Sequence, residues 1–367
     1  MGVKKTGFKV VHLPFYDDNS YQSELMGALN GLGVETVRGG GGGTFFRTAL
    51  RTWKADVLHF HWLHPYMVKP SARATLAWSL FLVAQILILK ARGTKIVWTA
   101  HNIQSHESPF PRLERRLQRL FLGRCDAIIA HCECAKTEVR RVFGVPARKI
   151  WVVPHGNYVA SYPNTISREN ARQKLDLPLH APVMLFLGHI RPYKGVLELV
   201  EAFQTLSKEV NNDANPPILL IAGKTREEGD IEQIQAAIGE NRAIRFVPGF
   251  VPDAEIQTYM NAADAVVFPY RDILTSGAVL LAMSFSRACI APRRGCIGET
   301  LDGKGGFLYD PESEGALLEA LRAALQRQKE LAVMGKYNGE RAAQWDWPRV
   351  AQQTKDVYHR VASCNWV

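Results

Sequence analysis

The sequence has few cysteines, no apolar leader and fewer acidic than basic residues. Six cysteines in a chain of 367 residues do not make the disulfide framework of a secreted domain. The stretch 1–9 carries no apolar run long enough for a signal peptide. These features favour a cytoplasmic protein.

Motifs for metals, cofactors and nucleic acid are also missing from the sequence. No Asp-x-Asp pair stands in a setting suited to a metal, and Cys132-x-Cys134 lacks the second pair that a zinc site needs. The glycine run 39–43 lacks the Gly-Lys-Ser/Thr ending of a phosphate-binding P-loop. No helix-turn-helix, zinc module or aromatic-basic sheet pattern is present. We therefore expect no metal, no cofactor and no nucleic-acid partner.

The most apolar segment, Ala74–Leu89, is interrupted by Trp78, Ser79 and Gln85. It is shorter than the roughly 20 residues that cross a bilayer. The segment predicts a buried or interfacial helix.

The length of the chain indicates the number of domains, and its net charge indicates the kind of partner. A chain of 367 residues exceeds what one hydrophobic core usually serves, so two domains are expected. The formal net charge of +10 indicates an anionic partner: nucleotide phosphates, a lipid surface or nucleic acid. Charge alone does not choose among these.

Short β-rich runs alternate with helical stretches through two similar halves, which predicts an α/β fold with two parallel sheets. Strands are expected at 8–13, 34–37, 56–60, 95–99, 127–130 and 150–153, then at 183–187, 218–222, 244–247 and 265–268. The polar stretch 154–182 suits a linker. We predict two Rossmann-like α/β/α domains, 1–158 and 159–345, facing across a cleft, and a final segment 346–367 that packs on the first.

A basic loop follows the first strand of the second half, in the run Gly188-His-Ile-Arg-Pro-Tyr-Lys-Gly. His189, Arg191 and Lys194 would stand beside backbone N–H groups and the positive end of a helix, a ready site for a diphosphate. The alternative is a solvated basic turn.

A second loop-to-helix junction lies in the segment 268–283, where Ser276 and Gly277 open an apolar helix. Ser276 is a plausible N-cap, and Gly277 would let backbone amides approach a phosphate. With the loop residues Tyr270 and Thr275, these are donor-site candidates. The alternative for Ser276 is an ordinary helix cap.

Five motifs in order carry a resemblance that covers nearly the whole chain. They are Leu58-His-Phe-His-Trp, Trp98-Thr-Ala-His-Asn, Gly188-His-Ile-Arg-Pro-Tyr-Lys-Gly, Ser276-Gly-Ala-Val-Leu-Leu-Ala-Met-Ser-Phe and Trp345-Asp-Trp-Pro-Arg. The sequence resembles the GT-B glycosyltransferases that include family 4, in particular bacterial exopolysaccharide transferases of the xanthan β-mannosyltransferase type. The resemblance implies glycosyl transfer and a final helix that crosses back onto the first domain.

The resemblance also implies roles for individual residues. Lys194 and either His189 or Arg191 would contact the donor diphosphate, and Gly188 would start that loop. Phe250 and Val251 would hold the nucleotide base. His155 falls in a segment similar to the family's hinge and would approach the donor.

The sequence departs from the family 4 pattern at two glutamates. Ile273 and Leu281 occupy their positions, so the glutamate that holds the donor ribose is absent. Retention of stereochemistry, typical of family 4, is therefore not implied. The xanthan-type likeness implies inversion and a β-linkage instead.

An inverting reaction needs a base within hydrogen-bond reach of the acceptor hydroxyl. Asp17 and Asp18 follow the first strand, and Glu107 lies in the loop after His101. By the resemblance, His101 lies near the reacting sugar; the alternative is a structural histidine. We take all four as catalytic candidates.

A basic helix is expected to follow His101. Arg112, Arg115, Arg116 and Arg119 share one stripe, and leucines share the other. Such a helix can lie on an anionic leaflet; the alternative is an ordinary surface helix that packs its leucines inward.

Together these features predict a metal-independent glycosyltransferase, peripheral at the inner face of the cell membrane. GDP-mannose is the first choice of donor and a UDP-sugar the second. A glycan or a polyprenyl-diphosphate-linked oligosaccharide is the expected acceptor. Two alternatives remain open: a nucleotide-sugar epimerase of the same architecture, and a non-catalytic nucleotide- or sugar-binding subunit.

Overall fold

The computed structural model describes residues 8–40, 55–105, 108–210 and 215–363. The chain forms two compact units. Unit 1 combines the residues up to Gly156 with those from Trp345 onward, and unit 2 spans Asn157–Gln344. Each unit is built on a six-stranded sheet whose neighbouring strands all run parallel.

Unit 1 has the strand order β2-β1-β3-β4-β5-β6. Its strands are β1 (Phe8–Leu13), β2 (Val34–Arg38), β3 (Val57–Phe60), β4 (Lys95–Thr99), β5 (Ala127–Ala130) and β6 (Ile150–Val152). Its described helices are α1 (Ser20–Gly31), α2 (His64–Met67), α3 (Ala72–Lys90), α4 (Pro111–Leu122), α5 (Glu133–Phe143) and, at the end of the chain, α14 (Trp347–Ser363).

Unit 2 has the strand order β12-β11-β10-β7-β8-β9. Its strands are β7 (Val183–Leu187), β8 (Ile218–Gly223), β9 (Ile244–Pro248), β10 (Ala265–Val267), β11 (Ala288–Pro292) and β12 (Gly306–Tyr309). Its described helices are α6 (Arg168–Lys174), α7 (Val196–Glu209), α8 (Glu228–Ile238), α9 (Asp253–Ala262), α10 (Gly277–Ser284), α11 (Ile297–Thr300), α12 (Ala316–Gln326) and α13 (Leu331–Ala343).

The sequence pattern explains why these sheets are covered on both faces. Every residue of β3, β5, β7 and β8 is buried, and these strands are continuous apolar runs apart from His59 and Gly223. Such runs are typical of central strands in parallel sheets with helices on each side. The prediction of two Rossmann-like α/β/α domains is therefore confirmed.

Helix α14 returns to unit 1 and packs against α1. Val350, Val357 and Val361 recur at helical spacing and enter the same buried cluster as Leu25 and Leu29 of α1. The predicted crossing-back of the final helix is confirmed.

Several elements of unit 2 were not part of the sequence prediction, among them α6, β11, β12 and the helices α11 to α13. The stretch expected to be an irregular linker contains α6, which is anchored by a fully buried Arg172. Its guanidinium pairs with Asp264 at 2.8 Å and donates to backbone carbonyls including that of Ala262.

Candidate functional site

A cavity of about 280 Å³ opens at the carboxyl ends of β7 and β8 in unit 2. This edge is where ligands bind in open α/β sheets. Its walls come from the loops after β7, β8 and β9, the start of α10 and the stretch after Asn157. The lining residues are Tyr158, Tyr162, Leu187, Gly188, His189, Lys194, Gly223, Lys224, Phe250, Val251, Ile256, Gly277, Ala278 and Leu281.

Two glycines allow backbone segments around this cavity to pack closely against each other. Gly195 is left-handed, with φ of 67°, and a Cβ there would collide with the carbonyl oxygen of Pro269. A Cβ on Gly223 would collide with the carbonyl oxygen of Gly188. The basic loop after β7 therefore packs directly on the ends of β8 and β10.

Lys194 supplies a desolvated cation to the cavity. Burial, followed by the nearby charge of Arg191, lowers the pKa of Lys194 to about 8. Its Nζ lies 5.7 Å from the ring centroid of Tyr270, a cation–π contact. A partly desolvated ammonium group gains most from an anionic ligand, because a bound phosphate would replace the lost hydration.

Most of the predicted donor-site residues converge here. Gly188, His189, Lys194, Phe250, Val251 and Gly277 all line the cavity. Ser276 caps α10, accepting a hydrogen bond from the Val279 N–H at 3.3 Å. The open end of α10 is therefore presented to the cavity by Gly277 and Ala278.

The remaining predicted residues of unit 2 lie just outside the lining. Tyr270 is buried beneath Lys194 and hydrogen-bonds to Ser276. Thr275 Oγ1 lies 3.6 Å from Cys296 Sγ. Arg191 is half-buried and precedes the turn that carries Lys194.

Sequence reasoning missed Tyr158, Tyr162 and Lys224 in this cavity. The two tyrosine rings are 5.8 Å apart. The signal available was two aromatic residues in an otherwise polar stretch, which did not identify the cavity they join. Leu281 also lines the cavity, so an apolar side chain stands at the position where the family 4 pattern has a glutamate.

Unit 1 concentrates histidines at the carboxyl ends of its strands. Five histidines lie in, or within three residues after, β1, β3, β4, β5 and β6. We call them the histidine row: His12, His61, His101, His131 and His155. Successive ring centroids are 5.3, 5.5, 5.1 and 5.2 Å apart. Tyr21 of α1 lies against the last four of these rings.

Hydrogen bonds connect the first three members of the row. His12 Nδ1 lies 2.9 Å from His61 Nε2, and His61 Nδ1 lies 3.2 Å from His101 Nε2. His101 is partly exposed, whereas the other four are buried. The row therefore leads from the interior of unit 1 to His101.

Burial keeps these imidazoles neutral. It lowers the pKa of His12 to about 3 and that of His131 to about 4. The pKa of His101 also lies well below its ordinary value, first because of burial and then because of neighbouring His131, His61 and His155. At neutral pH the row can hold and orient hydrogen bonds without carrying charge.

The other candidates in unit 1 have different surroundings. Asp17 and Asp18 are exposed in the turn after β1, and Asp17 pairs with Arg38 at 3.0 Å. His155 is buried, with Nδ1 2.7 Å from the Gly156 carbonyl oxygen, and does not line the unit 2 cavity. Glu107 lies outside the described residues.

Two families match the chain over most of its length. Residues 38–157 match the family described as Glycosyltransferase Family 4, and residues 181–327 match Glycosyl transferases group 1.

Curated relatives are also glycosyltransferases. The GDP-mannose:glycolipid 4-beta-D-mannosyltransferase of Xanthomonas campestris pv. campestris is 27% identical over 81% of this chain and 77% of its own length. The D-inositol 3-phosphate glycosyltransferase of Corynebacterium urealyticum is 26% identical over 68% of this chain and 60% of its own.

Solved structures share the architecture. Sucrose-phosphate synthase from Thermosynechococcus elongatus has a TM-score of 0.74 at 18% identity, covering 97% of this chain and 99% of that one. Anabaena HepE in complex with UDP and glucose has a TM-score of 0.71 at 16% identity, covering 96% and 100%. With two parallel-sheet units, a cation-bearing cavity in the second and matches to both families, this chain belongs to the GT-B glycosyltransferases of the family 4 and group 1 type.

Proposed function

We propose that this glycosyltransferase moves a mannosyl group from GDP-mannose to a hydroxyl of a lipid-linked glycan, such as a polyprenyl-diphosphate-linked oligosaccharide. The observation that carries the donor site is Lys194, a desolvated cation beside the amino end of α10 in one cavity. The name of the Xanthomonas relative supports GDP-mannose and a glycolipid acceptor. A UDP-sugar is the second choice of donor.

The cavity also bears on stereochemistry. Leu281 and the neighbouring Ala278 are apolar, so this wall offers no carboxylate to a ribose or to the developing charge on the sugar. We propose inversion, with a base supplied from Asp17, Asp18, Glu107 or His101, and formation of a β-linkage. In this scheme the leaving diphosphate is stabilised by Lys194 with His189 or Arg191, and by the backbone amides at Gly277.

The test is turnover with GDP-mannose and UDP-sugars, each with and without a polyprenyl-linked glycan acceptor. We expect GDP release that depends on the acceptor and is unchanged by EDTA, because protein cations and helix ends take the place of a metal. Conversion of the donor without acceptor would indicate an epimerase. Nucleotide binding without turnover would indicate a binding subunit, and loss of activity in EDTA would contradict metal independence.

Helices α3 and α4 carry exposed apolar and basic side chains, respectively. Helix α3 is long and apolar enough to cross a membrane by length and composition alone, and 39% of its apolar window is buried in unit 1. Its exposed large apolar side chains are Leu76, Trp78, Leu80, Phe81, Leu87 and Ile88. On α4, which packs against α3, Arg112, Arg115, Arg116 and Arg119 are all exposed.

We propose that the surface of α3 and α4 lies in the interface of the inner leaflet, with the apolar side chains at the acyl boundary and the arginines at anionic headgroups. Exposed apolar area on one helix beside cations on the next is the chemistry of an interfacial helix pair. Such an arrangement would bring a lipid-linked acceptor to unit 1.

Vesicle sedimentation tests this surface. The Arg112→Gln/Arg116→Gln variant should bind anionic vesicles roughly 30-fold less tightly, since each cation near such a surface contributes about 1 kcal/mol. Phe81→Gln should also weaken binding. Val333→Gln is the matched control, because Val333 of α13 is 71% exposed and lies in unit 2. Equal binding by all variants would rule the surface out.

A further inference from the structure

The hydrogen bonds of the histidine row leave one nitrogen of His101 for a ligand. His101 Nε2 is engaged by His61 Nδ1, and His61 Nε2 is engaged by His12 Nδ1. A neutral imidazole has one donor and one acceptor nitrogen. Both nitrogens of His61 are therefore committed, and Nδ1 of His101 is the only one of its nitrogens not engaged by the row.

The surroundings hold this arrangement in place. His12 and His61 are fully buried, so neither ring can turn to solvent for another partner. On its other sides His101 stacks on Trp62, with centroids 4.7 Å apart, and meets the Tyr21 ring edge-on at 4.9 Å. The His101 ring is thus fixed by packing on its faces and by His61 at Nε2.

We propose that His12 and His61 are positioning residues that orient His101 through Nε2, so that Nδ1 is the atom His101 turns towards the reacting sugar or acceptor. The effect expected on kcat rests on the proposed function, whereas the orientation of His101 does not. Because the protons of all three rings are coupled through two hydrogen bonds, the tautomer of His101 is set by His61 and His12. His12 and His61 do not store the substrate's proton, since burial makes a charge on either ring more costly than on partly exposed His101.

A metal site is the competing use of these histidines. His12, His59 and His61 bring ligand nitrogens within 4.8 Å of one another. However, His59 Nδ1 lies 2.6 Å from the Tyr358 hydroxyl, and its Nε2 lies 2.7 Å from Thr99 Oγ1. Coordination would break one of these bonds and also one of the two bonds that His61 makes, to His12 or to His101, so the hydrogen-bonded row is favoured.

The orientation can be tested in the ligand-free protein by NMR of ¹⁵N-labelled histidine. Among the described residues, the titratable groups that face His101 are His61, His131, His155 and Tyr21. In His61→Leu one of the imidazoles that oppose charge on His101 is removed, so His101 should take up its proton at higher pH than in the wild type. In His61→Asn the amide stands in for Nδ1, and the His101 tautomer should be retained.

Kinetics give the second readout. We expect kcat to fall by up to about 100-fold in His61→Leu, as when a reacting group is displaced by about 1 Å. The acid limb of the pH profile of kcat should move to higher pH, and the KM for the donor should change little. His61→Asn should recover most of kcat. His59→Asn is the matched control: His59 is equally buried and lies two residues earlier, on β3, but it bonds to Tyr358 and Thr99, so its replacement should lower Tm without moving the His101 titration.

The two readouts separate the possible failures. An unchanged His101 tautomer and titration in folded His61→Leu would overturn the positioning role, whatever the activity. If the titration shifts but kcat does not, His61 orients His101 and the proposed role of His101 in transfer is wrong. Should His61→Leu not fold, His12→Leu provides the same measurement, because it removes the inner partner of His61. If EDTA changes the ¹⁵N signals of His101 in the wild-type protein, a metal bound to these histidines would be favoured instead.

Discussion

Replacing Lys194 with methionine should weaken the binding of GDP by about 10- to 100-fold, because one charge-assisted hydrogen bond to phosphate contributes about 1.5–3 kcal/mol. Methionine keeps an unbranched side chain of similar length and removes the ammonium group, with its charge and its N–H donors. The fall in kcat should be larger, about 100- to 1,000-fold, if Lys194 stabilises the charge that grows on the leaving diphosphate. Calorimetry and steady-state kinetics give the two values.

Lys224→Met is the matched control for this prediction. Lys224 lines the same cavity but its side chain is exposed, so solvent already screens its charge and its loss should weaken GDP binding only a few-fold. An equal loss in both variants would show that general positive charge, and not Lys194, holds the diphosphate.

The affinity of wild-type protein for GDP should also depend on pH. With the pKa of Lys194 lowered to about 8, affinity is steady below that pH and falls about tenfold per unit above it, because the ligand-free lysine loses its proton. The stability of the ligand-free protein changes in the opposite sense. Between pH 8 and the ordinary lysine pKa, Lys194 is protonated in the unfolded chain but not in the folded protein, so its contribution to the free energy of unfolding rises with pH. Lys194→Met should abolish the pH slope in affinity.

Gly195→Ala should disrupt the unit 2 cavity far more than the replacement of a glycine elsewhere in unit 2. A left-handed residue with a side chain costs about 1–2 kcal/mol, and here the added Cβ also meets the Pro269 carbonyl oxygen. Relief of that collision adds about 1–3 kcal/mol and separates the Lys194 turn from the loop after β10. We expect a lower Tm and at least a tenfold loss in GDP affinity.

Gly315 provides a close control within unit 2. It also precedes a helix in the left-handed region, with φ of 72°, but nothing lies within 4 Å of a Cβ placed there. Gly315→Ala should therefore show only the backbone cost and retain GDP affinity. If both variants bind GDP like the wild type, close packing of Gly195 on Pro269 is not needed for GDP binding.

The alternation of apolar runs with helical stretches was enough to predict most strands. Central strands of a parallel sheet are buried on both faces and are therefore continuous runs of apolar residues. Strands β11 and β12 were missed for local reasons. Ala288–Pro292 is rich in small residues and ends in proline, and Gly306–Tyr309 begins with glycine and has three partly buried residues, so neither is a continuous run of large buried apolar residues. Helix α6 has a polar sequence, and its position depends on the pairing of Arg172 with Asp264, which lies far away in sequence.

The donor loop was recognisable because Gly188 to Gly195 combines a strand end, cations and a helix start within one short segment. The histidine row was only partly predictable. The motif Leu58-His-Phe-His-Trp shows His59 and His61 close together in the chain, but bringing His12 beside them and linking His61 to His101 depends on β1 pairing with β3 and β3 with β4. Strand order is a tertiary property that single-sequence periodicity does not specify.

Helix α14 has a consequence for the order in which the molecule can be made. Unit 2 is inserted in the chain between the sheet of unit 1 and the helix that completes its core, and Tyr358 on that helix hydrogen-bonds to His59. While a ribosome is still synthesising residues 157–344, unit 2 can begin to fold but unit 1 still lacks Val350, Val357 and Tyr358. Unit 1 is therefore the last to mature although most of it is translated first, and a nascent chain stalled before residue 347 would expose an apolar face to chaperones and proteases.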